Sequence, residues 1–514
     1  MNDTTTSEVP SGALTTAAPA DASPAPTEKD PRRRPTPHPI ASAVSGYIQT
    51  MRGIALTAQT VLPHTQKWLI AEVEKTEKRI AKIIPGFPNA SKDTKFELRS
   101  AREYAEFTNS LKTLNDIQSN RALSVLTRAL FMQMFSEFDA FTGSLLKAIY
   151  LKNDTLLKGI SREISLCDLL DYSDLDSVKR AMLEKEIDSF RRDSYVEQFA
   201  SLEKKFSLTL RKFKEWGEFV ELSQRRNLFT HNGGVVSEQY LLVCDREGHK
   251  FEMRPAIGES LAVSMDYFSR AIRLLSKVAL MLGYTLWAKV FPKEQEEFHE
   301  SLNNVLYSNL EQKRWRLVSD LHDFALSEPM KRGASEVTLR IRLVNVAIAL
   351  KFSERGPEAL AVLHSLDWSA SYRDFKLAIA VLEDKFDDAA SIMRSIGKSG
   401  EIIGQADYHT WPLFTKFREQ PIFYETYEAV YGESFAEQVR REIDSIAEKS
   451  AHNSASPEAT AGSGGEVIDV VAKEVQKGSP TQTARASKKA ASAKQNGTTA
   501  TQRLARKPRP PSGA

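Results

Sequence analysis

Two cysteines, Cys167 and Cys244, are all the thiol chemistry available to a chain of 514 residues. They lie far apart and neither has a CxxC partner. That argues against a disulfide framework or a thiolate metal site and fits a reducing compartment. The nine histidines are scattered, with no HxxxH or HExxH spacing on one helix face, so a protein-bound zinc is not expected. No P-loop or GxGxxG opens a helix, and no nucleotide cofactor is expected. Long apolar runs are missing too. The longest, near Val278 to Trp287, is bracketed by Lys277 and Lys289 and falls far below the ~20 residues a membrane span needs. The start, Met1-Asn2-Asp3-Thr4, has neither a basic segment nor an apolar core behind it, so no secretory signal is read. These absences together point to a soluble, cytoplasmic protein without a membrane partner.

What is present suits a globular core over most of the length: 41% hydrophobic and 27% charged residues, with room for two or three domains. The net charge of +3 is uneven. Residues 475–514 carry nine basic side chains and no acidic one, so the remainder sums to 3 − 9 = −6. Residues 1–40 are rich in Thr, Ala and Pro, and residues 446–514 in Ala, Ser, Gly and Lys. Neither end can bury enough apolar surface to offset its ordering entropy, and both are expected to be disordered. The basic tail is either a grip on nucleic acid phosphate or a solvated segment; no aromatic residues are interleaved for stacking.

Between the ends the apolar spacing is helical, and the fold class expected is all-α. Ala41 to Ile84 reads as long helix, interrupted at Pro63, stopped by Pro85-Gly86-Phe87-Pro88, with a solvated Lys/Glu face in its second half. Arg121 to Lys152 repeats Leu126, Leu130, Met134, Phe138, Phe141, Leu145 and Ile149 at three- and four-residue spacing, one wide apolar stripe. Further helices are read from near Asp174, over Ser201 to His231 and over Leu261 to Val290, with a short hairpin between Tyr240 and Met253. Later, Ala347-Ile348-Ala349-Leu350 with Glu358-Ala359-Leu360-Ala361 recurs as Ala378-Ile379-Ala380-Val381 with Asp388-Ala389-Ala390. That internal repeat, spanning about 300–440, resembles tetratricopeptide-like helical hairpins, which commonly bind proteins.

One polar cluster has a chemical shape. Along Ser201–His231 an apolar side formed by Phe206, Phe213, Trp216 and Val220 continues into Ser223, Asn227 and His231. Asn227 and His231 are four apart and share a face; Arg226 sits one residue further round and reaches the same mouth. Asn232-Gly233-Gly234 stops the helix. His231 thus falls in the last turn, where the helix dipole favours a cation. A histidine titrating near neutrality can trade a proton, and an arginine beside it can stabilise an anionic transition state. A bare Arg-four-residues-His match is expected about once by chance in a chain this size, so context decides.

Arg226-Asn227-x-x-x-His231 with Asn232-Gly233-Gly234 resembles the Arg-(four to six residues)-His motif of HEPN domains, and Phe138-Asp139-Ala140-Phe141 is similar to the acidic-aromatic patch of that family's earlier helix. The resemblance covers about 119–292. It implies an up-and-down helical bundle that dimerises with its motif helices face to face, and an endoribonuclease that needs no metal. It also implies that Arg226 and His231 act on the scissile phosphate, supported by Asn227, with Asp139 as the acidic residue. Glu137 is an alternative for Asp139, and Arg225 for Arg226. RNA would be the substrate, a second copy the partner, and toxicity or defence against phage the setting. The division expected is a helical segment over 41–118, a HEPN-like domain over 119–292 and helical hairpins over 293–445. A non-catalytic adaptor, with the bundle binding RNA or dimerising and the hairpins binding a protein, is the rival reading.

Overall fold

Three long helices bring the widest apolar stripes of the sequence together. In the computed structural model, which describes residues 37–89, 95–160 and 163–454, these are α1 (Pro39–Ala81), α3 (Ala122–Lys152) and α8 (Met265–Val290). Between them come α2 (Ala101–Gln118), α4 (Leu175–Arg192), α5 (Tyr195–Phe206), α6 (Trp216–His231) and α7 (Glu238–Arg246). Helices make up 73% of the described residues, and no strand forms among them, so the class is all-α. A single bridge, Val235 to Ser260, is the only sheet-like pairing among those residues.

α1 begins with Pro39 in its first turn, where a missing N–H costs nothing, while His38 Nδ1 accepts from the Ile40 amide at 3.2 Å. The expected interruption at Pro63 does not occur: the helix runs through it. Pro63 and Gln59, whose carbonyl loses its partner, are both exposed, so water takes over that carbonyl. Ile40, Val44, Tyr47, Ile48, Met51, Ile54, Ala58 and Leu62 are buried at helical spacing, whereas beyond Leu62 only Thr76 and Ile80 are. The Lys/Glu-rich second half is thus mostly solvated. α1 and α8 approach closely at Gly283, where a Cβ would stand 2.5 Å from Val44 Cγ2. Tyr47 stacks on Phe141 at 5.0 Å and meets Phe138 edge-on at 5.8 Å, joining α1 to α3.

α3 follows the expected stripe, with Met134, Phe138, Phe141, Leu145 and Ile149 buried. The helix expected over Ser201–His231 is two helices. Ser207 ends α5 in the left-handed region (φ 51°). Beyond it the Glu203 carboxylate accepts from the amides of Leu210 (2.7 Å) and Arg211 (2.9 Å) and from Arg211 Nε (2.8 Å). Those bonds give the backbone an alternative to the helical ladder, which resumes only at Trp216. The hairpin expected between Tyr240 and Met253 is also replaced by helix. Ser237 caps α7, and Tyr240, Leu241, Val243 and Cys244 are buried at helical spacing. The turn read at Asp245–Gly248 is present, with Gly248 at φ 80° donating to the Asp245 carbonyl at 3.1 Å. α8 starts at the Ser264 cap, four residues later than the apolar pattern begins. By length and composition it is apolar enough to cross a membrane, but 78% of its most apolar window is buried inside the fold.

The chain continues through α9 (Gln295–Glu311), α10 (Trp315–Asp320), α11 (Glu336–Phe352), α12 (Gly356–Leu363), α13 (Arg373–Leu382), α14 (Phe386–Ile396), α15 (Pro421–Tyr431) and α16 (Phe435–Ser454), with single turns between. The α11–α12 and α13–α14 hairpins turn alike. Glu354 (φ 64°) and Asp384 (φ 59°) are left-handed, and the next amides donate to carbonyls five residues back, Arg355 to Leu350 at 2.9 Å and Lys385 to Ala380 at 2.8 Å. Lys351 Nζ links the two, bonding the Leu382 carbonyl and Asp384.

The described residues up to Val439 belong to one compact unit. One apolar core draws its residues from 40–62 and from 131–427, and so includes side chains from both sides of 118/119 and of 292/293. α1 is a full partner of α3 and α8, and Trp287 and Tyr284 pack on Phe298 of α9. The expected disorder of 1–40 and 446–514 falls largely outside the described residues, as does the basic tail over 475–514. Within those spans Pro39 and Ile40 begin α1 and 446–454 lie within α16.

Candidate active site at the end of α6

α6 is pinned at both ends by different means. At its start Glu215 pairs with Lys277 (2.9 Å) and Trp216 Nε1 donates to Glu247 (3.1 Å). At its end the amides of Asn232 (2.8 Å) and Gly234 (3.0 Å) both donate to the Leu228 carbonyl. Gly233 (φ 60°) and Gly234 (φ 89°) make that turn. At Gly234 a Cβ would also stand 2.8 Å from the Phe229 ring, so this position is closed to any side chain. Arg128 of α3 donates to the Phe229 carbonyl and lies over the Phe229 ring at 5.3 Å, satisfying one of the carbonyls that a helix end leaves open.

The two adjacent arginines are sorted by burial. Arg225 is held from three sides: its Nε donates to Glu221 at 2.7 Å, Nη1 donates to the Ala262 carbonyl at 3.1 Å, and its guanidinium covers the Tyr267 ring at 4.0 Å. Arg226 turns the other way. Its Nη1 donates to Asn227 Oδ1 at 3.1 Å and its Nη2 lies 3.7 Å from Asp139 Oδ2. Its Nε is shielded from solvent and has no partner. Of the two candidates it is therefore Arg226 that stands with Asn227 and Asp139. The same geometry separates the carboxylates. Asp139 meets Arg226, while Glu137 accepts from Gln133 of its own helix at 2.7 Å.

Asp139 is held by two residues that the motif does not contain. Tyr195 OH donates to its Oδ1 at 2.6 Å, and Arg191 Nε donates to its backbone carbonyl at 3.0 Å. Gly143 leaves open the space that the Arg191 guanidinium crosses. The Ser194–Glu197 capping box is legible in the sequence and fixes Tyr195 as the first residue of α5; nothing in the sequence marks Arg191. Burial raises the Asp139 carboxyl above its ordinary range, opposed by the Tyr195 hydrogen bond and by Arg226 and Arg191.

A carboxylate with a raised folded-state pKa binds its proton more tightly in the native than in the unfolded chain. The native advantage is fully present below the unfolded value and is lost as pH rises through the folded one. Asp139→Asn is therefore expected to raise the melting temperature at pH 7 and to flatten its change with pH just above the ordinary carboxylate range. Melts of both proteins from pH 4 to 7 read this directly; a lower melting temperature for the variant at pH 7 would show that the Arg226 contact outweighs burial.

His231 is exposed and has no hydrogen-bond or ion-pair partner among the described residues. It lies five residues beyond Arg226, about 7.5 Å along the helix axis, and one helical turn beyond Asn227. The structure thus brings Asp139, Arg226 and Asn227 together and leaves His231 apart from them at the open helix end. Asp139 and Arg226 are half-buried, their side chains 26% and 30% exposed, and His231 is open to solvent. Among the described residues no group of three or more His, Cys, Asp or Glu side chains could hold a metal ion. No family model, no curated protein and no solved structure matches this chain.

Proposed function

We propose that the end of α6 is half of an RNA-cleaving site of HEPN type, completed by the same helix end of a second copy. The observation that carries this reading is the bracing of Arg226 by Asp139 and Asn227 one and a half turns before an unpartnered, exposed His231. Cleavage of RNA by its own 2′-hydroxyl needs a base, an acid and a cation. One His231 takes the 2′-OH proton, and the 2′-oxygen attacks phosphorus. The P–O5′ bond breaks, and the second His231, protonated, returns a proton to O5′. The products are a 2′,3′-cyclic phosphate and a 5′-hydroxyl, and the charge gathering on the phosphoryl oxygens falls to Arg226. One copy supplies one histidine and a two-fold pair supplies both, so the homodimer is part of the mechanism. Nothing in this scheme calls for a metal ion. A cytoplasmic setting, a role as toxin or antiphage effector and a protein partner for the hairpins belong to the same proposal.

The test is incubation of the full chain with end-labelled RNA in excess EDTA, with sedimentation of the same sample. Cleavage leaving cyclic-phosphate ends, by a dimer, is expected. A protein that leaves RNA intact, or one that is strictly monomeric at micromolar concentration, overturns the reading. The exposure of His231 favours one rival: a non-catalytic adaptor using the same face to bind RNA or a second copy. That rival predicts binding without cutting.

A further inference from the structure

A second cluster of cations lies elsewhere, where α1 and α8 meet the turn between α9 and α10. A cavity of about 610 Å³ opens there, within the range of small-molecule sites. Among the described residues Arg52 of α1, Lys313 and Arg314 of the turn and Arg316 of α10 line it, and no aspartate or glutamate does. Arg273, also on its wall, is already paired with Asp320 at 3.0 Å. The other four have no carboxylate partner among the described residues. Lys313 takes the left-handed turn conformation (φ 56°), and Arg314 donates its amide to the Asn309 carbonyl at 2.8 Å. That conformation and that bond fix the turn that presents the cations.

Arg314 is the informative one. Its Nη1 is shielded from water and has no partner, and its Nη2 reaches only Ser276 Oγ at 3.4 Å. Burial and the neighbouring Arg52 push its pKa down to about 10, so it stays charged at neutral pH. A buried cation facing a like charge is costly unless an anion completes it. Besides the uncharged polar Gln59, Ser269 and Gln312, the rest of the wall is apolar: Phe268 and Leu317 are buried in the floor, and Trp315 stacks on Phe352 at 4.8 Å.

We propose that this cavity binds a small phosphorylated molecule of nucleotide type, its phosphates on Arg52 and Arg314 and its ring on the apolar floor. Several uncompensated cations call for a multiply charged anion, and guanidinium groups match phosphate oxygens in pairs. The fingerprints of nucleotide-binding loops are not required, because side chains rather than loop amides supply the positive charge. A running RNA backbone fits poorly. The adjoining cavity, which shares Arg52 and Gln312, carries Glu297 and Glu300 on its wall and repels a continuing chain of phosphates.

Calorimetric titration of the full chain with ADP, GDP, CDP and UDP at fixed ionic strength tests this. At least one is expected to bind saturably, one per chain, and more than about tenfold tighter than its nucleoside or inorganic pyrophosphate. Arg314→Gln is expected to weaken that binding by about tenfold or more. If that variant melts early, Arg52→Gln with Lys313→Gln, both exposed positions, carries the comparison. Absence of saturable binding by all four overturns the proposal. So do unchanged affinity in the variants, pyrophosphate binding as tightly as the diphosphates, or displacement by single-stranded RNA at equal affinity.

Discussion

His231→Ala is expected to lower RNA cleavage in EDTA by about 10²- to 10⁴-fold, the usual worth of a positioned acid–base group, while leaving the melting curve where it was. The second half of that statement comes from the structure. His231 is exposed and makes no hydrogen bond or ion pair among the described residues, so its removal leaves no buried group unsatisfied. Surface substitutions of that kind stay within about 0.5 kcal/mol. The turn that stops α6 also survives, because it rests on backbone bonds from Asn232 and Gly234 to Leu228 and on the positive φ of Gly233 and Gly234. A loss of cutting therefore reads as lost chemistry and not as lost fold. Equal cutting by variant and wild type removes His231 from the mechanism. A fall in melting temperature alongside the loss would mean that the helix end depends on a contact this surface does not show.

The same helix illustrates what the sequence could and could not carry. The termination of α6 was readable because Asn-Gly-Gly acts locally, through backbone conformation. The break between α5 and α6 was not. Phe206, Phe213, Trp216 and Val220 keep helical spacing across it, and all four contribute to the core side although the backbone between them is irregular. What breaks the helix is the Glu203 carboxylate reaching amides seven and eight residues on, a contact with no periodic signature. Pro63 fails as a helix breaker for the complementary reason, since the carbonyl it deprives faces water. α7 has strand-forming residues, yet its buried positions fall at helical spacing behind the Ser237 cap. α2 falls within the helical segment expected over 41–118, but with one buried residue, Leu114, it has no stripe from which its bounds could be read.

Side-chain direction was the other blind spot. Spacing alone left Arg225 and Arg226 interchangeable, and Glu137 and Asp139 as well. Packing separates both pairs, because Arg225 faces the interior of the α6–α7–α8 contact and Arg226 faces α3. Tyr195 was within reach through its capping box, but its bond to Asp139 spans 56 residues of sequence and belongs to tertiary structure. The hairpin repeat was legible at its small residues, and the structure adds the matching left-handed turns at Glu354 and Asp384, which residue identity does not announce.

Glu221→Ala is expected to be the most destabilising single change near the site, by about 3–5 kcal/mol, the usual cost of breaking a buried ion pair from one side. Glu221 is 2% exposed and accepts from three donors: Arg225 Nε at 2.7 Å, Tyr240 OH at 2.7 Å and Tyr267 OH at 2.6 Å. Those donors come from α6 itself, α7 and α8, so one carboxylate ties three helices together. Burial and the Glu221 charge together push both tyrosine hydroxyls well up from their ordinary range, so they remain donors at any working pH. Removing the carboxylate strands a guanidinium and two phenols in a space that water cannot fill freely. Glu221→Gln keeps an acceptor oxygen for one tyrosine but removes the charge facing Arg225, and an intermediate loss is expected. Urea denaturation of the three proteins measures this, with the midpoint falling in the order wild type, Gln, Ala. A Glu221→Ala midpoint equal to that of wild type would mean that the four groups are solvated and not joined. Because the network sits one turn before Arg226, the folded fraction of Glu221→Ala is also expected to hold Arg226 less firmly against Asp139. Its residual cleavage should then fall below that fraction, whereas His231→Ala loses cleavage with the fold intact.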